Sequence, residues 1–162
     1  SSGNVRVLAL IGAGLVAVGL AWPSGMLVVS DEAGAALWRV PVSDGSEVVL
    51  HYTNSVYLAP TWERFTVRGG RLHLKEVSST REAVLEYNRL APPYRRDGDR
   101  LTAPASGVVL EVLSLRVGER GHPVLQVGQT EVPLYRAGTG TGLRVTIRRE
   151  ARLQRWLIGR AP

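Results

Sequence analysis

The segment TWERFTVRGGRLHLKEV, residues 61–77, decides the fold of this chain. Residues 61–67 and 71–77 are short runs of strand-forming residues, and apolar and polar side chains alternate in the second run. That alternation places three side chains on one face: Leu72, Leu74 and Glu76. Between the runs, Gly69-Gly70 is typical of a two-residue hairpin turn, because such turns need positive φ. The segment therefore predicts an antiparallel strand–turn–strand unit.

Similar short runs, bounded by glycine, proline and aspartate, occur on both sides of this unit. They span residues 36–42, 47–53, 107–117, 124–127, 130–134 and 143–147. Many short strands with frequent turn signals are typical of antiparallel sandwiches and barrels. The sequence therefore predicts an all-β domain, an antiparallel sandwich or barrel, over residues 25–148.

One segment of this domain changes period and predicts a helix. Across residues 79–90, four apolar side chains fall on one helical face: Ala83, Val84, Tyr87 and Leu90. Thr80 is a candidate N-cap, and Pro92-Pro93 ends the segment. With the C-terminal tail, we expect one or two short helices beside the strands.

The N-terminus predicts a transmembrane helix. The uncharged apolar run over residues 7–22 has about 16 residues, slightly short of the roughly 20 that a spanning helix needs, and residues 23–29 extend the uncharged stretch. Trp22 is placed as an interfacial aromatic, and Pro23 and Gly25 are expected to end the helix. Residues 1–24 are thus the predicted membrane anchor.

Charge predicts the orientation of this anchor. Arg6 precedes the apolar run, whereas Asp31 and Glu32 follow it. By the positive-inside rule the N-terminus lies in the cytoplasm and the domain lies outside. A cleaved signal peptide is the alternative, because Gly19-Leu20-Ala21 has the small residues of a cleavage site.

The predicted anchor has small residues suited to close helix packing in a membrane. Those residues are Ala9, Ala13, Ala17 and Ala21 at four-residue spacing, with Gly12 and Gly19 on an adjoining face. Packing against a partner helix and a simple abundance of alanine and glycine both explain the pattern.

The tail, residues 149–162, predicts a basic amphipathic helix. Its apolar positions are Leu153, Trp156 and Leu157. Its neighbouring basic positions are Arg152 and Arg155. Such a helix suits a membrane surface or a partner groove. Packing on its own domain is the alternative.

Composition excludes several classes of function. The chain has 162 residues, a net charge of +6 and no cysteine, and Lys75 is the single lysine among 20 basic residues. The absence of cysteine excludes disulfides, thiol catalysis and cysteine metal sites. The basic residues are scattered and no nucleic-acid-binding motif accompanies them, so we expect no nucleic-acid partner.

No motif in the sequence indicates catalysis, and we predict no catalytic residue, no cofactor and no metal. His51, His73 and His122 lack metal-site spacing, and no nucleophile elbow is present. The glycines of residues 138–142 join two predicted strands, which favours a hairpin over a phosphate loop. A carboxylate pair formed only in space stays open.

The densest polar cluster lies around the connection between the runs 47–53 and 61–67. It comprises Thr53, Asn54, Ser55, Pro60, Trp62 and Glu63. Asparagine and serine side chains readily bond turn backbone, so the cluster is either a tied-down connection or a binding or docking site. We take five of its members as the candidate site: Asn54, Ser55, Pro60, Trp62 and Glu63.

This stretch resembles the signature of a bacterial family named only as domain of unknown function 1850. That signature has His-Ser-Val at the end of a strand, a proline four residues after the valine and a glutamate three residues after the proline. Ser55, Val56, Pro60 and Glu63 match these positions, and Asn54 stands where histidine is usual. The resemblance covers roughly residues 25–148.

The resemblance implies a function. Members of that family are short, begin with a hydrophobic segment and are encoded beside TAXI-type tripartite ATP-independent periplasmic (TRAP) transporters. It implies a non-enzymatic accessory subunit of such a transporter, single-pass in the bacterial inner membrane, serving the transport of small organic acids. Its implied partners are an integral membrane transporter subunit, a periplasmic substrate-binding protein and membrane lipids.

A different interpretation of the same residues remains. The chain would then be an independent periplasmic ligand-binding module or an envelope enzyme, with Asn54, Ser55 and Glu63 forming its ligand site.

Overall fold

A computed structural model of the protein describes residues 25–149, and all structural statements concern this part of the chain. Its elements are β1 (Gly25–Asp31), β2 (Ala36–Val42), β3 (Glu47–Asn54), β4 (Ala59–Arg68), β5 (Arg71–Ser79), α1 (Glu82–Tyr87), β6 (Arg95–Asp97), β7 (Arg100–Pro104), β8 (Val109–Leu110), β9 (Val112–Arg116), β10 (Val124–Val127), β11 (Thr130–Val132), a 3₁₀ turn (Leu134–Ala137) and β12 (Gly142–Arg149).

The strands form two antiparallel sheets that pack face to face. The smaller sheet has the order β2-β1-β12-β9, and the larger has the order β11-β10-β3-β4-β5-β7-β6, with β8 pairing β5. The shared core includes Leu27 and Val145 from the smaller sheet and Phe65, Leu72 and Leu125 from the larger. The predicted all-β fold is confirmed, in a sandwich-like arrangement.

A second apolar cluster lies where α1 packs on the larger sheet. It contains Val77, Leu85, Leu101 and Ala103. Helix α1 is shorter than the predicted segment 79–90, because residue 79 still belongs to β5. The expected Thr80 cap is wrong: Arg81 occupies the N-cap position and no side chain caps the helix.

The predicted hairpin is confirmed with one correction. Arg68 pairs with Arg71 across Gly69 and Gly70, whose φ values are 60° and 75°. However, Arg64 pairs with Glu76 whereas Phe65 pairs with Leu74, so β5 has a bulge at the intervening residue. Because the bulge reverses the alternation, Glu76 does not share the face of Leu74, and its carboxylate accepts a 3.0 Å hydrogen bond from Arg64 Nε.

The start of the domain corrects the predicted membrane segment. Strand β1 is an inner strand that pairs with both β2 and β12, and Leu27, Val28 and Val29 are fully buried in the protein. The proposed extension of the membrane stretch through residue 29 is therefore wrong. Within residues 25–149 there is no helix with the length and apolarity needed to cross a bilayer. The predicted anchor (1–24), with its helix-packing residues, and the tail from residue 150 onward lie outside the described residues.

The two ends of the sandwich have different neighbours. At one end, called the terminal end, Gly25 pairs with Arg149, and Arg149 lies beside Gly70 of the β4–β5 turn. The opposite end, called the pocket end, contains the β3–β4 loop and the segment 117–123. There, the N–H of Thr53 donates to the Gly121 carbonyl at 2.8 Å. The candidate site at the pocket end therefore lies at the opposite end of the sandwich from Gly25 and Arg149, the first and last described residues.

Candidate functional site

Asn54 closes the β3–β4 connection. Its side chain is buried, and its Oδ1 accepts backbone N–H bonds from Val56 and Tyr57, both at 3.0 Å. These bonds satisfy two donors of the four-residue loop 55–58 and fix its path. Asn54 therefore has the tied-down role that the sequence suggested for the connection, and its hydrogen bonds need no imidazole.

Glu63 lies on the core-facing side of β4. In the sheet register it stands between Leu50 of β3 and Val77 of β5, which belong to the two apolar clusters. Tyr52 lies two residues after Leu50 on β3, and its hydroxyl group donates a 2.7 Å hydrogen bond to Glu63 Oε1. A carboxyl group thus occupies a position that the strand pattern would fill with an apolar side chain.

Burial controls the protonation of this pair. Loss of solvent raises the pKa of the Glu63 carboxyl above its ordinary value, and the hydrogen bond from Tyr52 partly opposes that rise. Burial also raises the pKa of the Tyr52 hydroxyl, and the nearby Glu63 charge adds to the effect. Tyr52 therefore remains a donor at any physiological pH.

A pocket of ≈ 610 Å³ opens beside this pair at the pocket end. One wall comes from β3 and β4, and the other from β9 and the segment 117–123. Its apolar lining is Leu50, Leu113, Leu115 and Pro123. Its polar lining includes Tyr52, Thr53, Asn54, Ser55, Glu63 and Ser114. The volume lies within the range of small-molecule sites.

One oxygen of Glu63 faces this space. Oε1 accepts from Tyr52, and Oε2 has no hydrogen-bond partner among residues 25–149. In this part of the chain no side-chain oxygen is both fully buried and unpaired. Oε2 is therefore accessible from the pocket, where it can contact a ligand.

Charged side chains surround the mouth of the pocket. Arg116, Glu119 and Arg120 line it and are exposed. Arg116 donates to the Glu32 carboxylate at 2.7 Å and to the carbonyl of Gly140. The Arg116 charge is thus already compensated by a neighbouring carboxylate.

Trp62 and Pro60 do not join the pocket. Trp62 projects from the opposite face of β4, where its ring stacks on His51 at 4.9 Å between centroids and Arg100 Cζ lies 3.7 Å from the Trp62 ring centroid. Burial, and then the Arg100 charge, lower the pKa of His51. Pro60 is exposed, and its carbonyl accepts a 2.8 Å hydrogen bond from Ser79. Of the five predicted residues, the structure brings together Asn54, Ser55 and Glu63.

The loop between β3 and β4 presents apolar side chains to solvent. Val56 and Leu58 are 62 % and 56 % exposed. Tyr57 packs edge-on against Tyr87 of α1, with ring centroids 6.2 Å apart, and Tyr87 is 63 % exposed. We call these four residues the loop patch; its loop residues directly follow Ser55, which lines the pocket.

The described residues contain no cluster of three or more histidine or acidic side chains able to hold a metal ion. His122 stacks on Tyr135, with ring centroids 3.7 Å apart, and His73 Nε2 lies 3.3 Å from the Arg68 carbonyl. The glycine-rich segment 138–142 leads into strand β12 and not into a helix, so it lacks the setting of a phosphate loop.

Sequence reasoning identified Glu63 but missed Tyr52 and the wall formed by residues 113–123. The alternation of β3 contained a signal for Tyr52, since Leu50 and Tyr52 share a face. The opposite wall belongs to the other sheet, which no local pattern could place.

Comparison with known proteins finds no matching family model, no matching curated protein and no matching solved structure.

Proposed function

We propose that the chain is a non-enzymatic accessory subunit of a TAXI-type TRAP transporter, held at the bacterial inner membrane by the segment before Gly25. The observation that carries the membrane attachment is the polarity of the domain, and the transporter is proposed from the sequence resemblance at Ser55, Val56, Pro60 and Glu63. The two segments that continue beyond the domain start side by side, at Gly25 and Arg149, while the pocket and the loop patch lie at the opposite end. A domain held at its terminal end presents its pocket end to partners outside the membrane.

The charge of the terminal end supports this orientation. Arg68, Arg148 and Arg149 are exposed at the same end of the sandwich as Gly25, the first described residue after the apolar run of residues 7–22 in the sequence. Guanidinium groups beside a membrane segment are attracted to anionic lipid headgroups. The basic residues of the tail, such as Arg152 and Arg155, continue from the same point.

The loop patch supplies the surface for the partner. Exposed apolar side chains grouped at one place are typical of protein contacts. Val56 and Leu58 are the exposed loop residues of this surface. The two backbone hydrogen bonds that Asn54 accepts hold their loop in one conformation. A fixed loop loses little conformational freedom on docking, which favours association.

Crosslinking within the intact complex tests the proposal. Because the chain has no cysteine, a single introduced cysteine is unique. Val56→Cys, carrying a thiol-linked photo-crosslinker, should crosslink to a transporter subunit or to its substrate-binding protein in native membranes. Asp97→Cys on the exposed edge strand β6 is the matched control and should not. Recovery of the complete transporter without this chain, or equal crosslinking from both positions, would contradict the proposal.

The pocket favours a second candidate, an independent periplasmic ligand-binding module. The supporting observation is the accessible carboxyl oxygen of Glu63, which lines an ≈ 610 Å³ pocket. Glu63→Ala should then abolish ligand binding while the domain still folds. Loss of folding in this variant would show instead that the Tyr52–Glu63 pair is structural.

A further inference from the structure

The Glu63 carboxyl is buried without a cation. It forms no ion pair among residues 25–149, and its single hydrogen bond comes from Tyr52. Removing a carboxylate from water is costly unless a cation and further donors compensate it. Among the described residues, burial of Glu63 is therefore compensated by a proton and not by a cation, and its second carboxyl oxygen faces the open space.

The charges around the pocket favour a positively charged ligand. With Glu63 ionised, the pocket lining holds two carboxylates (Glu63 and Glu119) and two guanidinium groups (Arg116 and Arg120), and neither guanidinium group forms an ion pair with Glu63. The guanidinium groups belong to exposed residues at the mouth, and Arg116 is held by Glu32. The uncompensated charge lies deepest, on Glu63.

The remaining lining limits the rest of the ligand. Leu50, Leu113 and Leu115 provide an apolar wall, and Ser55 and Ser114 provide hydroxyl groups that can accept hydrogen bonds. A protonated amine has donors for several acceptors, and a short hydrocarbon body suits the apolar wall.

We propose that the pocket binds a small molecule with a protonated primary amine on a short apolar body, with the ammonium group against Glu63 Oε2. The site goes beyond the accessory function proposed above and does not depend on it. A carboxylate would meet ionised Glu63 as a like charge, and a neutral alcohol would gain no ion pair from it.

Binding of an amine by this mechanism is coupled to the release of a proton from Glu63. An ammonium group pairs with ionised Glu63, so its binding displaces the proton that burial favours on this carboxyl. The neighbours of Glu63 are Tyr52, which donates to it, and apolar Leu50 and Val77, which pair with it in the sheet register. The charged groups that line the same pocket are Arg116, Glu119 and Arg120. Affinity for an amine should therefore rise with pH by up to about tenfold per unit below the pKa of Glu63. A carboxylate ligand would need protonated Glu63, and its affinity would fall with pH.

Saturation-transfer NMR on the full chain in nanodiscs tests the proposal, with n-butylamine, n-butyrate and n-butanol as probes and empty nanodiscs as the blank. We expect a signal for n-butylamine that strengthens from about pH 5 to about pH 8, and none for the other two. Butyrate binding with the opposite pH dependence, equal binding of all three probes, or no butylamine signal would overturn it.

Two variants locate the effect. Glu63→Gln keeps an acceptor for Tyr52 and should reduce butylamine affinity at least about tenfold. Glu131→Gln, at an exposed position of β11, should leave it unchanged. If Glu63→Gln does not fold, Tyr52→Phe serves instead: it keeps the carboxyl and should move the pH dependence to higher pH. Unchanged butylamine binding in Glu63→Gln, or an unmoved pH profile in Tyr52→Phe, would contradict the assignment. Because crosslinking tests the accessory function separately, failure of one proposal is distinguishable from failure of the other.

Discussion

Gly25 and Arg149 face each other at one end of the antiparallel ladder between β1 and β12. This pairing joins the first and last described strands in the middle of the smaller sheet. The first and last described residues of the domain therefore lie side by side, held together by strand pairing within the smaller sheet. The pocket lies at the opposite end because β3 and β4 meet there in their connecting loop.

The role of β1 as a core strand gives a first prediction. Leu27→Ala should lower the free energy of unfolding by about 2–5 kcal/mol, because it removes a fully buried side chain from the shared core. Leu37→Ala on β2 is the control, since Leu37 is 41 % exposed, and it should cost less than about 1 kcal/mol. Urea unfolding of both variants measures the difference, and equal small losses would show that residues 25–31 do not pack in the domain.

The hairpin turn gives a second prediction. Gly70 has a φ of 75°, where a Cβ is disfavoured, so Gly70→Ala should cost about 1–2 kcal/mol in unfolding free energy. Gly118→Ala is the control, because its φ is not positive and an added Cβ meets only ordinary contacts at 3.9 Å. Thermal unfolding checks both. A Gly70→Ala variant as stable as Gly118→Ala would rule out the left-handed turn.

Local patterns predicted the strands whose two faces differ. The hairpin of β4 and β5 followed from alternation and from Gly69-Gly70, because both signals act over a few residues. The bulge in β5 was not predicted, because it is defined by how β5 pairs with its neighbouring strands. Strands β6 and β7 were also missed; β6 is short, arginine-rich and fully exposed, so it has no alternation to detect.

Strand β1 was hidden for a different reason. Leu27, Val28 and Val29 are all fully buried, and a strand buried on both faces has a continuous apolar sequence. From sequence alone, such a run cannot be distinguished from a continuation of the apolar run of residues 7–22 that precedes it. The candidate site was predictable in part: Asn54 and Glu63 stood out as polar residues beside a turn, but the pocket needs β9 from the other sheet.

The asparagine at the loop gives a third prediction. Asn54→Ala removes the acceptor of two backbone N–H bonds and should cost about 1–2 kcal/mol in unfolding free energy. Hydrogen exchange at the Val56 and Tyr57 amides should accelerate, because the loop loses its fixed path. Asn54→Asp keeps the acceptor and should retain slow exchange. Unchanged exchange in Asn54→Ala would mean that the loop is held by other contacts.

Glu63 gives a fourth prediction, on how stability depends on pH. Because burial raises the pKa of Glu63 in the folded state, the folded domain retains this proton at pH values where the unfolded chain has lost it. The stabilisation is complete below the ordinary glutamate pKa and is lost as pH rises through the raised value. Wild type should therefore lose stability relative to Glu63→Gln as pH rises from about 4 to about 8. The exposed Glu131→Gln should show no such divergence from wild type. Denaturant midpoints of the variants and the wild type across this range measure the difference. If the wild type instead became more stable relative to Glu63→Gln as pH rises, a cation would have to lie beside the carboxyl group.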